Sequence, residues 1–348
     1  MATWGVRKIR RFPAREIAKT AGSFGAIAGI VYRAVDWRGK LSDFIADPQS
    51  AVLGLLPRDV LLPLLRRSGG PLVTVVVATR NNAETIVSSL QSLTRQTHSH
   101  IEIIVVDDAS SDNSCDLIRA IAKSDERVNL LSNRRQMGTG YSRNLGLLAA
   151  KGEYVTFQDG DDISLPTRIS AQLSVFSKFQ GKVLSLCNYV RVDTHGDSLE
   201  INDRRVMKCI ISMMFPRKEI LERVGFFMDG TVSEDSDFYE RIKIAFGADC
   251  ETLVFRTLYH ALFRQNSSFF DQMEIKKIER GRISFNAPAK VSSARERVNA
   301  RHAMMREGKI SYRVGFDPSF SKQASGLADQ IQVSRIAGGC EFGPASKV

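Results

Sequence analysis

Three polar clusters, each set directly behind a short apolar run, constrain this chain more than any other feature. VTVVVAT (73–79) is a β-branched run suited to a strand buried on both faces, and Asn81 and Asn82 follow it as turn and cap. IEIIVVD (101–107) is a second such run and leads into DDASSDNS, a loop dense in capping residues. A third strand-like segment, 153–158, runs into FQDGDDISLP (157–166). Ile86, Leu90 and Leu93 sit at helical spacing within 83–96; helices are also predicted over 112–123 and 141–150, and a short strand over 128–132. Strand and helix alternating in this way predict a parallel sheet with right-handed crossovers. Such sheets bind ligands at the carboxyl ends of their strands. The rule singles out 79–81, 107–108 and 159–162.

Gly69, Gly70 and Pro71 mark a break before the first strand. Beyond residue 180 the pattern is more mixed, with strands predicted over 183–193 and 205–215 and helices over 218–224 and 235–245. From about residue 270 the chain is basic, with irregular helical stretches and no assigned fold. Three segments result: a basic, partly amphipathic helical N-terminal extension over 1–70, a central domain over 71–270, and a basic C-terminal extension over 271–348. The five cysteines are scattered without a C-x-x-C pair, which argues against a disulfide scaffold and for a reducing compartment.

The formal net charge of +11 suggests nucleic acid until it is located. Residues 1–70 hold twelve Lys/Arg against five Asp/Glu, and residues 271–348 hold fourteen against eight. The middle holds 23 against 25 and is nearly neutral. Basic flanks on a neutral core suit an anionic surface, and Arg7, Lys8, Arg10, Arg11, Arg15 and Lys19 are candidates for attachment to a membrane face; a solvated basic face explains them equally. The core shows no nucleic-acid module. No stretch reaches the roughly 18 uncharged apolar residues of a membrane span. The Gly/Ala-rich run between Lys19 and Arg33 is too weakly apolar for a secretory signal. A cytoplasmic protein, peripheral at the inner membrane face, is the expectation.

Asp159, Asp161 and Asp162 share one turn through Gly160. Carboxylates this close repel one another unless a cation or hydrogen-bond donors offset them. Oxygen ligands suit Mg²⁺ or Mn²⁺, which keep waters and take further ligands from a substrate phosphate. A turn capping the helix that starts near Pro166 suits the same residues, so both readings stand at this stage. Glu234, Asp235 and Asp237 open a predicted helix, where they either complement its dipole or supply a general base. In NRRQMGTGYSRNLG (133–146), Gly138 and Gly140 imitate a dinucleotide fingerprint, but Arg143 stands where its third glycine belongs. A turn that lets Arg143 approach a phosphate or carboxylate fits better. His98 and His100 are expected to be solvated and His195 to lie in a turn. His260, beside Arg264, Asn266 and Ser267, is a candidate third metal ligand or a partly buried structural histidine.

Taken in order, VTVVVATRNN, IEIIVVDDASSDNS, GTGYSRNLGLLAAKGEYVTFQDGDDISLP and GFFMDGTVSEDSDFYERI resemble the family 2 glycosyltransferases over residues 71–270. The resemblance implies an α/β fold of GT-A type, a mixed, mostly parallel sheet flanked by helices, with N- and C-terminal extensions. It implies an inverting transferase that uses a nucleotide sugar, by default a UDP-sugar, with Mn²⁺ or Mg²⁺. Thr79, Asn81 and Asp108 would hold the nucleoside and Arg143 would orient the donor. Asp159 and Asp161 match the family's D-x-D, with Asp161 the direct metal ligand and Asp162 assisting. Asp235 matches the base, with Glu234 beside it, and His260 matches a metal-binding histidine only loosely. The family's acceptor-loop motif is not evident, which leaves a glycan or lipid-linked acceptor undefined. Two other functions compete: a non-catalytic sugar-nucleotide or membrane-surface binding protein of the same fold, and a nucleotidyltransferase. The latter is disfavoured because ATRNNAET lacks a glycine-rich phosphate loop.

Overall fold

The first strand pairs with both the second and the fourth, so this β-branched run lies inside a parallel sheet. The computed structural model describes residues 69–228, 233–264, 273–279 and 281–318. The expected N-terminal extension with its basic residues, Asn266, Ser267 and the chain beyond 318 lie outside the described residues, apart from Gly69 and Gly70.

Strands β1 (Val73–Thr79), β2 (Ile101–Asp107), β3 (Val128–Ser132) and β4 (Tyr154–Asp159) form the parallel part. Every residue of β1 is buried. Its odd positions Val73, Val75 and Val77 pack on one face with Ile86, Leu90 and Leu93 of α1 (Ile86–Thr94) and Ile118 of α2 (Ser114–Ser124). Val76 packs on the other face with Leu147 of α3 (Thr139–Ala149), Phe157, Phe215 and Phe227. A two-residue side-chain period thus feeds two cores, and full burial of each such side chain contributes about 1.5–3 kcal/mol.

Beyond β4 the sheet becomes mixed. A two-residue β5 (Ile163–Ser164) and α4 (Arg168–Lys178) lead to β6 (Leu184–Val192), β7 (Ser198–Ile201) and β8 (Val206–Pro216). Next come α5 (Arg217–Arg223), α6 (Glu234–Phe246) and β9 (Glu251–Leu262). β8 runs antiparallel to β4 and to β6, and β9 runs parallel to β6 while pairing antiparallel with β5. The hairpin β10 (Glu274–Glu279) and β11 (Arg282–Asn286) joins the sheet through β7, and α7 (Ala289–Arg306) follows. The sheet order is β10-β11-β7-β6-β8-β4-β1-β2-β3, with β9 beside β6. Residues 273–318, read from sequence as part of a separate extension, therefore continue the sheet and pack a helix against the domain.

Candidate active site

All three polar clusters fall at the carboxyl ends of β1, β2 and β4. At the end of β4 the turn presses against β1, and a Cβ at Gly160 would overlap the Thr79 hydroxyl. The turn's acids then separate. Asp162 faces inward, 6% exposed, and its carboxylate accepts the Tyr259 hydroxyl at 2.8 Å and the Leu262 N–H at 2.9 Å. Burial, reinforced by repulsion from Asp161 and Asp159, raises its pKa well above the usual carboxylate range. Tyr259 also accepts the Asp159 N–H at 3.2 Å, so one phenol holds both ends of the turn. Asp159 and Asp161 remain accessible, and each meets an arginine.

Arg143 meets Asp159. Its two terminal nitrogens donate to Asp159 Oδ1 at 2.9 Å and to Glu234 Oε1 at 3.0 Å. One guanidinium therefore joins the acidic turn to the start of α6, reaching Glu234 from 91 residues earlier in the sequence. The Arg143 side chain is 5% exposed and lies over the Phe227 ring. Burial lowers its pKa, but the charges of Asp159, Glu234 and Asp235 more than reverse that, so it stays protonated. Burial raises the Glu234 pKa, and Arg143 opposes the shift. The neighbouring Asn144 exchanges two hydrogen bonds with the Phe227 backbone, at 2.9 and 2.8 Å. A Cβ at Gly146 would overlap Val76, so glycine there lets α3 seat closely on β1. The whole Arg-Asn-x-Gly stretch is thus engaged.

Arg264, following β9, meets Asp161 at 3.1 Å and also donates to the Asn82 side chain beside Thr79. Burial raises the Asp161 pKa, repulsion from Asp159 adds to it, and Arg264 counters both. The end of β1 is itself tied to the next loop. Asn81, at φ 51°, donates its N–H to Ser110 and accepts the Ser111 N–H at 2.8 Å. The Thr79 hydroxyl accepts the Asn82 amide at 3.0 Å. Asp108 is buried and accepts Asn133 Nδ2 at 2.7 Å and the N–H groups of Met137 and Gly138 at 2.7 and 2.8 Å. Its carboxylate anchors the loop that delivers Arg143.

In the first turn of α6, Glu234 serves Arg143 and Asp235 accepts the Ser236 N–H at 2.8 Å. Asp237 is turned inward, 1% exposed, between Arg241 at 2.8 Å and His302 of α7 at 2.9 Å. The structure therefore brings Asp159, Asp161, Arg143, Glu234 and Asp235 to one place and sets Asp162 and Asp237 behind it. His260 pairs with Ile163 through the backbone, and strand alternation puts its ring on the opposite face of β9 from Tyr259. Among the described residues, no three His, Cys, Asp or Glu side chains form a metal-holding set. His98 corrects an expectation: it is buried rather than solvated, with Nε2 3.0 Å from the Pro71 carbonyl, and burial lowers its pKa. The sequence reading missed Tyr259 as the turn's brace and Arg264 as the partner of Asp161. It also missed His302, since a lone histidine in a basic helix carries no local signal.

Comparison with known proteins points to one family. Residues 74–233 match the sequence model of glycosyl transferase family 2. The chain is similar to a UDP-Glc:alpha-D-GlcNAc-diphosphoundecaprenol beta-1,3-glucosyltransferase of Escherichia coli, 36% identical over 118 residues, which are 34% of this chain and 46% of the relative. It is also similar to the succinoglycan biosynthesis protein ExoO of Rhizobium meliloti, 41% identical over 131 residues, 38% of this chain and 37% of that one. A putative teichuronic acid biosynthesis glycosyltransferase of Bacillus subtilis is 35% identical over 130 residues, 37% of this chain and 51% of that one. The chain thus spans about half or less of these relatives. The structure of S. aureus TarS in complex with UDP-GlcNAc superposes with a TM-score of 0.52 at 17% identity, covering 67% of this chain and 66% of that one. The expected GT-A-type α/β architecture is the one observed.

Proposed function

We propose, proceeding from the match of residues 74–233 to glycosyl transferase family 2, that this chain moves a sugar from a nucleotide donor to an acceptor hydroxyl with inversion. The observation that carries the reading is Arg143, which holds the acidic turn and the base-bearing helix together at the strand ends. The transferase domain is taken as 71–270, extended by the hairpin and helix through 318. The turn of Thr79 and Asn81, with the loop that Asp108 anchors, would receive the nucleoside. The relatives named for UDP-Glc and UDP-GlcNAc favour uridine.

Two accessible carboxylates on one turn, Asp159 and Asp161, fit Mn²⁺ or Mg²⁺, because such ions are commonly held by one or two carboxylates plus substrate phosphates. A bound ion would supply charge stabilisation for the departing diphosphate. Asp161 is the first candidate ligand; Asp162, whose oxygens are engaged inward, is assigned to the scaffold. Arg264 already bridges Asp161 and Asn82, and would exchange these partners for the diphosphate as the donor enters. Glu234 is committed to Arg143, which makes Asp235 the base. The acceptor oxygen forms its bond to the anomeric carbon as the carbon–diphosphate bond breaks on the opposite side. The hydroxyl proton passes to Asp235, and the nucleoside diphosphate leaves with the bonding pair. One in-line displacement inverts the anomeric centre.

Relatives named for diphosphoundecaprenol, succinoglycan and teichuronic acid favour a lipid-linked or polysaccharide acceptor. Basic flanks would hold the enzyme at the inner membrane face. Among the described residues, no helix is long and apolar enough to cross a membrane. The test is release of nucleoside diphosphate from a panel of sugar nucleotides with Mn²⁺, with Mg²⁺ and with excess chelator. Metal-dependent release of UDP is expected. A chain that binds these donors at the site but never cleaves them, whatever the acceptor offered, would be a binding protein instead.

A further inference from the structure

The chain beyond the family 2 match returns to the back of this site. After α7, residues 311–316 run as a strap along the segment that leads toward α6. Val314 donates its N–H to the Val224 carbonyl and accepts the Phe226 N–H, both at 3.0 Å. The approach is so close that a Cβ at Gly225 would overlap the Val314 carbonyl, and Gly225 takes φ +80°. Phe316 then packs between two rings: Tyr141 at 5.2 Å, two residues before Arg143 on α3, and Phe226 at 5.6 Å. The adjacent Phe227 carries Arg143 on its face and stacks on Phe238 of α6 at 4.3 Å. Behind α6, Asp237 binds His302 of α7 and Arg241, and Arg241 in turn donates to the carbonyls of Val224, Phe226 and Tyr312.

The strap and α7 thus touch both elements whose relative placement sets the site: α3 with Arg143, and α6 with Glu234 and Asp235. These contacts run to α3, α6 and the segment leading toward α6, whereas the donor is proposed to sit at the end of β1 and the acidic turn.

We propose that residues 289–316 position the base-bearing start of α6 against Arg143, with Phe316 and His302 as positioning residues. The inference rests on the transferase reading, but its consequence separates from donor binding. A misplacement of about 1 Å can cost about 10²-fold in rate. Loosening the strap therefore impairs transfer while leaving the nucleotide in place.

The experiment uses the full chain with UDP-glucose and UDP-N-acetylglucosamine, comparing Phe316→Ala with Phe316→Leu. For Phe316→Ala, kcat is expected to fall about tenfold or more while donor Kd stays within about twofold, and Phe316→Leu restores most of the rate. Hydrogen exchange should quicken at amides 234–238 and remain unchanged in β1 and β2. Should Phe316→Ala fold poorly, His302→Gln carries the same expectations. Equal losses in kcat and donor affinity would make the segment a general prop and overturn the proposal; so would unchanged kcat and exchange. A parent enzyme that binds neither donor counts against the transferase reading itself, and exchange confined to 234–238 would still decide the positioning role.

Discussion

The turn at Asp159–Asp162 and the helix start at Glu234–Asp237 each hold three carboxylates within four residues, and each turns its last acid into the protein. In the turn that acid is Asp162, held by a phenol and a backbone N–H. In the helix it is Asp237, held by the charged Arg241 and by His302. The remaining acids face a shared space, where Asp159, Asp161 and Glu234 meet arginines and Asp235 accepts the Ser236 N–H. The inward acids thus fix the two elements, and the outward ones are those proposed for the chemistry. Asp162 is retained by neutral donors and repelled by its own neighbours, whereas Asp237 answers a buried positive charge. The same sequence pattern therefore predicts opposite sensitivities.

The division between outward and inward acids is broken most directly at Asp235. Removing a general base costs about 10²–10⁴-fold. Asp235→Asn should lose that much kcat with its unfolding midpoint close to the parent's; parental turnover would move the base elsewhere. The matching inward change should show first in stability. Asp237→Ala leaves Arg241, whose side chain is 0% exposed, without its carboxylate, and breaking a buried pair costs about 3–5 kcal/mol. Denaturant titration is expected to show that loss. A drop of under about 1 kcal/mol would mean that the carbonyls of Val224 and Phe226 suffice for Arg241.

A smaller effect separates the two arginines. Arg143 stays between two acids, whereas Arg264 occupies Asp161, the carboxylate proposed for the ion. Arg264→Ala should weaken UDP binding by about 1.5–3 kcal/mol, the scale of a hydrogen bond to a charged group. The same variant should bind Mn²⁺ alone more tightly, since Asp161 is released. Calorimetry reads both, and a change of the same sign in the two titrations would remove the exchange role.

Much of this arrangement was legible before the structure. Strands β1 and β2 announce themselves because near-complete burial writes an almost continuous apolar run, and β4 because it precedes the acidic turn. Strand β9 did not. Its half-buried residues alternate poorly, and its pairing with β6 is irregular where Cys187, Asn188 and Tyr189 face Val254, Thr257 and Tyr259. Helix α7 buries only Val291, Ala294, His302 and Met305, too few positions to mark an apolar stripe. The site divides in the same way. Spacing finds carboxylates but does not say which way they point. Asp161 and Asp162 are neighbours, and their roles are separated by Arg264 and Tyr259, 103 and 97 residues downstream. Asp237 is likewise defined by His302, 65 residues away.

The mildest change is the sharpest test of how the turn differs from the helix. Asp162→Asn keeps the shape, but an amide offers one acceptor where the carboxylate offered two. With its oxygen toward Leu262, the new N–H₂ faces the Tyr259 hydroxyl, which already accepts from Asp159 and must then find another acceptor for its own proton. That costs one hydrogen bond, about 0.5–1.5 kcal/mol. Against it, the substitution removes a buried charge that Asp161 and Asp159 repel. The two nearly cancel, so the expected destabilisation is under about 1 kcal/mol, far below that of Asp237→Ala. A loss as large as the helix variant's would show that Asp162 is held as a paired charge after all, and that the two clusters are braced alike.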